Sequence, residues 1–265
     1  MPRDKRTEHP DKRLVVSRRQ LVTGLASSGG LLLAGCSSKE LPPTYGNVLR
    51  MGDLVTYRAF RALLPAHPLA REYSHAEITS SPAIGTTDPA DPHQGNYNPE
   101  RGSVFDRLKS GNFADWRLKV EGRVRAPRSF SLAELQTLPR RTQITKHTCE
   151  EGWSAIAEWT GVPLRALLDA VGVLPSARFV NFFAYDDTAE GLDMFDALHP
   201  QTILAYGMNG RALPLGHGAP LRLRVETQLG YKSVKFLERI VVKDEFDDLG
   251  KIGSLQNGWA WYVGI

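Results

Sequence analysis

The sequence predicts a mixed α+β domain, rich in strands, with short helices scattered between them. Three observations carry that reading. Apolar and polar residues alternate at the two-residue period of strands in Leu118–Val124 and Leu221–Val225. Helix signals are few and short, such as the capping-box pattern Ser131-Leu132-Ala133-Glu134. No internal repeat links the elements, and strands outnumber helices that are scattered among them, which gives a mixed α+β domain.

Taken in order, residues 37–115 are expected to be largely irregular. Ser37 to Pro43 reads as a tether, and Met51–Leu64 as a short helix stopped by Pro65. Ser80–Gly102 is rich in Pro, Gly, Asp and Asn without a sustained period. A segment of that length is usually functional or wraps a neighbour. Regular structure is expected from Trp116. Leu118–Val124 is a strand, and Ser131–Leu138 a short helix ended by Pro139. Thr142–Thr148 is a strand leading into Cys149. Pro163 opens a helix that Gly172 stops, the usual Pro-start, Gly-stop asymmetry. Phe179–Tyr185 is an apolar strand. Thr202–Met208 and Ala212–Leu215 flank the turn signal Asn209-Gly210. Leu221–Val225 and Ile240–Lys243 complete the strands. The expected organisation is a leader over 1–35, a tether and wrapping segment over 36–115, and a catalytic domain over 116–265 that includes parts of 50–115.

The chain has 265 residues and a formal net charge of +4. Its surplus is confined to the start. Residues 1–35 hold seven Lys/Arg and three Asp/Glu, which leaves 26 of each in the remainder. A neutral domain gives no footprint for nucleic acid, and none is expected as a partner.

The leader has a pattern of its own. Arg18-Arg19 precedes a weakly apolar stretch and then Leu33-Ala34-Gly35-Cys36. The stretch is too short and too rich in Gly and Ser to span a bilayer comfortably. The paired arginines resemble a twin-arginine export signal, which implies the twin-arginine machinery as a partner. The LAGC resembles a lipobox, which implies that Cys36 is lipidated and anchors a periplasmic or cell-envelope protein.

Cys149 is then the one remaining cysteine of two. A lone cysteine is commonly a small buried hydrophobe. A cysteine hydrolase is a second reading, with His199 or His217 as base. A ligand-binding lipoprotein without catalysis is a third. Glu150 and Glu151 follow the thiol and should raise its pKa, which disfavours a thiolate nucleophile. A soft metal would keep the sulfur ionised regardless. One cysteine cannot build a Cys-rich zinc or iron–sulfur site, so further ligands would come from an organic cofactor. Downstream, Gly216 and Gly218 flank His217, and Arg222, Lys232 and Lys235 could grip a phosphate. The plain alternative for Arg222 and Arg224 is an edge strand with both arginines facing solvent.

The order of three stretches carries a resemblance: TQITKHTCEEGW, then LGHGAPLRLRV, then LGYKSVKF. Together they resemble the molybdopterin-binding domain of the sulfite oxidase family, nearest its exported bacterial branch that includes periplasmic methionine-sulfoxide reductases. The resemblance runs from about Trp116 to Val242. It implies a Mo-molybdopterin cofactor with Cys149 as metal ligand and Glu151 as a proton-handling group near the metal. It implies cofactor contacts from Arg222 and from Ser233, Val234 and Lys235. His147 and His217 fall within the matching stretches, and Asn96 and Tyr97 near an asparagine-containing segment lining the cofactor. His217 stands where the reductases have asparagine, and Ala184 where they have a threonine. The arginines that recognise sulfite are absent around Cys149, where Lys146 and His147 stand instead.

The implied activity is oxygen-atom transfer or a related two-electron reaction, with the protein supplying orientation, phosphate grip and proton management. No Cys-x-x-Cys-His occurs, which excludes a covalent c-type haem. Electrons are expected to pass through a separate protein, a haem membrane protein being one candidate. The short stretch after the last strand leaves no room for the oxidases' dimerisation domain, and a monomer is expected. The closing GWAWYVGI reads as a tail over the core, or as an aromatic wall over the pocket.

Overall fold

A computed structural model of the protein describes residues 48–64, 67–255 and 257–265, with backbone alone at 48–51, 53 and 54. The expected leader, Cys36 and Pro65 lie outside the described residues.

Two sheets organise the molecule. The first runs β2 (Arg128–Phe130), β1 (Leu118–Gly122), β10 (Leu237–Lys243), β5 (Phe179–Ala184), β6 (Ala189–Asp193). β1 and β10 are parallel and the other neighbours antiparallel. The second runs β3 (Arg141–Thr148), β4 (Ser154–Pro163), β7 (Ile203–Met208), β8 (Arg211–Ala212), with β9 (Arg222–Arg224) also pairing β7. The expected strand-rich α+β class is what the structure shows.

The first sheet buries Leu118, Val120, Val180, Phe182, Ile240 and Val242 in the main core. Each such side chain contributes on the order of 1.5–3 kcal/mol by leaving water. Trp116 is also buried there, and its Nε1–H donates to the Leu237 carbonyl at 3.1 Å. The second sheet has a smaller core of its own around Trp159, Ile203 and Met208.

The helices are short and sit between strands. α1 (Val48–Leu63) begins before the expected Met51. α2 (Pro99–Ser110) corrects the expectation of irregular chain up to residue 115. Its signal lay in its caps. The Asn98 side chain accepts from the amides of Glu100 at 3.0 Å and Arg101 at 3.2 Å, with Pro99 in the first turn. Only Gly102 and Phe105 are buried along it, so no apolar period betrayed it.

α3 (Leu132–Gln136) carries the expected capping box, with Ser131 Oγ accepting from the Glu134 amide at 3.2 Å. α4 (Leu164–Val171) ends on Gly172, whose φ of 68° is left-handed. Pro163 is the last residue of β4 rather than the first of the helix. α5 (Met194–Ala197) is a single turn capped by Asp193.

Three strands escaped the sequence reading. β4 is interrupted by a register shift between Thr160 and Gly161. β6 is Ala-Glu-Gly-Leu-Asp, buried throughout, with neither alternation nor β-favouring residues. β2 has three residues. β9 overturns the solvent-facing reading of its arginines, since Arg222, Leu223 and Arg224 are all buried. The closing segment divides: Trp261 and Tyr262 pack with Phe179 and Leu255, whereas Trp259 is 43% exposed. Among the described residues no helix is long and apolar enough to cross a membrane.

Candidate active site

The site is a cavity of about 460 Å³ whose wall includes Cys149, His147, His217, Arg222 and Lys235. That size suits an organic cofactor. It is reached by chain ends and loops from both sheets.

Cys149 sits where β3 turns back into β4. Its amide donates to the Trp153 carbonyl at 2.9 Å, and the Gly152 amide returns to the Cys149 carbonyl at 3.2 Å. The residue is 4% exposed, yet it lines the cavity. Its thiol faces Glu150 Oε2 at 3.5 Å and the Glu151 amide at 3.5 Å. Burial pushes the thiol pKa up, and the charges of Glu150 and Glu151 add to that, against the pull of the Glu151 N–H. Glu151 lies at the rim, with its Oε2 accepting from Trp153 Nε1 at 3.1 Å.

The opposite character gathers at the other stretches. Arg222 is 6% exposed, and its guanidinium donates to the carbonyls of His217 and Ser233, each at 2.9 Å. Lys235 Nζ donates to the carbonyls of Ile84 at 2.8 Å and Gly216 at 3.2 Å, and to that of Thr86. Neither cation has a carboxylate at ion-pairing distance among the described residues. Burial and then Arg224 bring Arg222 down to about 9, and burial and then Arg222 bring Lys235 down to about 8. The two histidines are held neutral. Burial lowers His217 to about 4, helped by Arg222 and Lys235. Burial and then Arg224 lower His147 to about 2. Asp186, also on the wall, is pushed up by burial, against the pull of its Thr188 hydrogen bonds and the charge of Lys235.

Of the sequence-predicted residues, Cys149, Glu151, Asn96, His147, His217, Arg222, Ser233, Val234 and Lys235 all line this cavity. Tyr97 does not; its ring packs against Gly102, where an added Cβ would meet Tyr97 Cε2 at 2.6 Å. His199 is fully buried away from the cavity, with Nε2 against the Pro68 carbonyl at 3.0 Å. It cannot serve Cys149 as a base. Lys232 is no phosphate ligand either: its side chain is fully buried and ion-paired with Glu190 at 2.7 Å. Ala184, at the departing position, is a core residue. The sequence reading missed Trp159, Asp186, Glu190 and the stretch Ser81–Thr86, all on the wall. Lys235's carbonyl cage lies largely in that Pro- and Gly-rich stretch, whose unusual length without regular elements was its one signal.

Residues 107–248 match the family described as the oxidoreductase molybdopterin binding domain. The chain belongs to that family. Xanthomonas axonopodis pv. citri has a relative, the protein-methionine-sulfoxide reductase catalytic subunit MsrP, 31% identical over 88% of this chain and 72% of its own length. A putative protein-methionine-sulfoxide reductase subunit YedZ1 of Azospira oryzae is 40% identical, over 60% of each chain. Among solved structures, the sulfane dehydrogenase SoxCD of Paracoccus pantotrophus has the same fold, with a TM-score of 0.50 and 24% identity. That match covers 72% of this chain and 55% of the other.

Members of the oxidoreductase molybdopterin-binding family take a Mo-molybdopterin cofactor, and the residues present fit it. A buried Arg222 and a half-buried Lys235, neither with a carboxylate at ion-pairing distance among the described residues, favour an anion, and the cofactor's phosphate is one. Among the described residues, no three His, Cys, Asp or Glu side chains gather to hold a metal ion alone. Cys149 is the one soft donor of the wall, so a metal here needs its other ligands from the cofactor.

Proposed function

We propose that this chain is an exported Mo-molybdopterin oxidoreductase that reduces sulfoxides by oxygen-atom transfer, with Cys149 as the protein ligand of the metal. The observation that carries the reading is the polarity of the cavity. Unpaired Arg222 and Lys235 mark where an anionic phosphate rests, and Cys149 offers a thiol on the same wall. When bound, the cofactor supplies a two-electron couple and a site for oxygen transfer.

The protein's part is positional and protic. Arg222 and Lys235 neutralise the phosphate and fix the cofactor's register. Metal binding at Cys149 needs the thiolate, and the raised thiol pKa means that a proton leaves when the site is loaded. Glu151, at the rim two residues on, can accept that proton or deliver one to a departing oxygen. Trp153, Tyr231 and Trp259 give the mouth apolar faces. Carboxylates at Glu150 and Glu151 disfavour an anion such as sulfite there and favour a neutral sulfoxide.

Two relatives are named as subunits of a methionine-sulfoxide reductase. On that basis electrons come from a separate protein, a membrane haem protein being the proposed donor. Export through the twin-arginine signal and anchoring at Cys36 complete the reading, with a periplasmic or cell-envelope location. The hydrolase alternative is not favoured: the thiol pKa is raised, His199 is remote, and His217, though on the same wall, makes no hydrogen bond to the thiol among the described residues.

The test is turnover by cofactor-loaded protein with an artificial electron donor. Methionine sulfoxide and dimethyl sulfoxide should be reduced, and sulfite should not be oxidised. Sulfite oxidation without sulfoxide reduction would reverse the assignment.

A further inference from the structure

Arg224 is not part of the cavity wall, yet it is almost completely buried, 1% exposed. Its Nε and Nη2 both donate to Glu226, at 3.2 and 2.7 Å. Glu226 Oε1 also accepts from Gln143 Nε2 at 3.0 Å, and Gln143 Oε1 accepts from Arg141 Nε at 2.7 Å. The guanidinium is thus clamped on one side, and its Nη1 stands 2.7 Å from His147 Nδ1. A guanidinium has only donors and keeps its proton. His147 Nδ1 must therefore accept, and the one proton of the neutral ring must lie on Nε2.

The ring is held in place from other sides as well. A Cβ on Gly230 would come within 2.5 Å of His147 Cε1 and 2.6 Å of Nε2, so only glycine lets the backbone approach that edge of the imidazole. The Trp153 ring centroid is 5.7 Å from that of His147. The bond from Arg224 is the hydrogen bond found for this ring among the described residues, and His147 is itself a residue of the cavity wall.

We propose that Arg224 is a positioning residue that fixes His147 as a permanent Nε2–H donor to the bound cofactor beside Cys149. This rests on the reading that the cavity holds Mo-molybdopterin with its metal end at Cys149. A buried carboxylate orients an arginine, and the arginine orients a histidine. It gives the metal end a donor that cannot become an acceptor.

The test uses holoprotein with 15N-labelled histidine. Ring ¹H–¹⁵N correlations should show His147 protonated on Nε2 in the wild type, and a mixture of tautomers in Arg224→Lys. EPR of the partly reduced holoprotein should show an exchangeable proton coupling that is kept in His147→Gln and lost in His147→Phe. His147→Phe should also release the cofactor about tenfold faster, the size of one hydrogen bond to a charged acceptor. An Nδ1–H tautomer in the wild type, or a proton coupling unchanged in His147→Phe, would overturn the proposal. Should Arg224→Lys fail to fold, the two His147 variants decide it. Wild-type protein without molybdenum would overturn the cofactor reading and this proposal with it, whereas an Nδ1–H tautomer in molybdenum-loaded protein would overturn this proposal alone.

Discussion

Arg222 Nη2 donates to the carbonyl oxygen of Ser233 at 2.9 Å, which ties β9 to the loop that leads into Lys235. The same guanidinium reaches the His217 carbonyl through Nη1 at 2.9 Å. One buried cation thus organises both stretches on this wall of the cavity. Carbonyl oxygens satisfy its donors without cancelling its charge. That charge is the structural reason to expect an anion.

Arg222→Met should separate cofactor binding from folding. A charge-assisted bond to phosphate contributes about 1.5–3 kcal/mol, so cofactor retention should fall at least roughly tenfold. Apoprotein stability should change modestly, because the lost bonds to the His217 and Ser233 carbonyls are offset by removal of a buried charge without a carboxylate partner. Phosphate or pterin content after dialysis, beside thermal unfolding of the apoprotein, checks both halves.

Lys235 gives a pH signature. Burial brings its pKa down to about 8 from the ordinary 10.5. Between those values the unfolded chain binds more protons than the folded apoprotein, so this group makes apoprotein stability rise with pH across that window. An anion beside the ammonium restores its proton. Cofactor binding above about pH 8 should take up a proton, and affinity should fall by up to about tenfold per pH unit. Calorimetry in two buffers of different ionisation enthalpy measures the uptake, which Lys235→Gln should abolish.

The ion pair of Lys232 with Glu190 should behave as a unit. Both side chains are buried, 0% and 6% exposed. Lys232→Met alone strands Glu190 and should cost about 3–5 kcal/mol. The double variant with Glu190→Gln should recover much of that loss. A denaturant-based double-mutant cycle gives the coupling.

Arg61 anchors α1. It reaches Asp193 at 2.9 Å and Asp196 at 2.5 Å, and Tyr57 also donates to Asp193 at 2.9 Å. Arg61→Ala leaves two buried carboxylates facing each other and should cost about 3–5 kcal/mol. Hydrogen exchange should show α1 opening first, with cofactor content kept, because none of these residues lines the large cavity.

Much of this was legible in the sequence, for reasons that differ by element. Strands with one buried face, such as β1, announced themselves by alternation. The Asn209-Gly210 turn did so by chemistry, with φ of 50° and 71°. α2 was hidden because it is held by its caps and buries little. β6 was hidden because a strand covered on both faces need not alternate. At the site, Cys149, Arg222 and Lys235 were legible as a sequence order. Their context was not. The burial of Arg224 and the pairing of Lys232 with Glu190 join residues far apart in the chain, and a local period carries no trace of such contacts. The same holds for the carbonyl cage of Lys235, whose members Ile84 and Gly216 are far apart in the chain.

The central claim is that Cys149 binds the metal. Molybdenum X-ray absorption, with metal content by mass spectrometry, tests it on wild-type protein and Cys149→Ser. Wild-type protein should hold near-stoichiometric molybdenum, and the variant should either lose the metal or show one fewer sulfur neighbour. A variant with full molybdenum and an unchanged sulfur shell would contradict it.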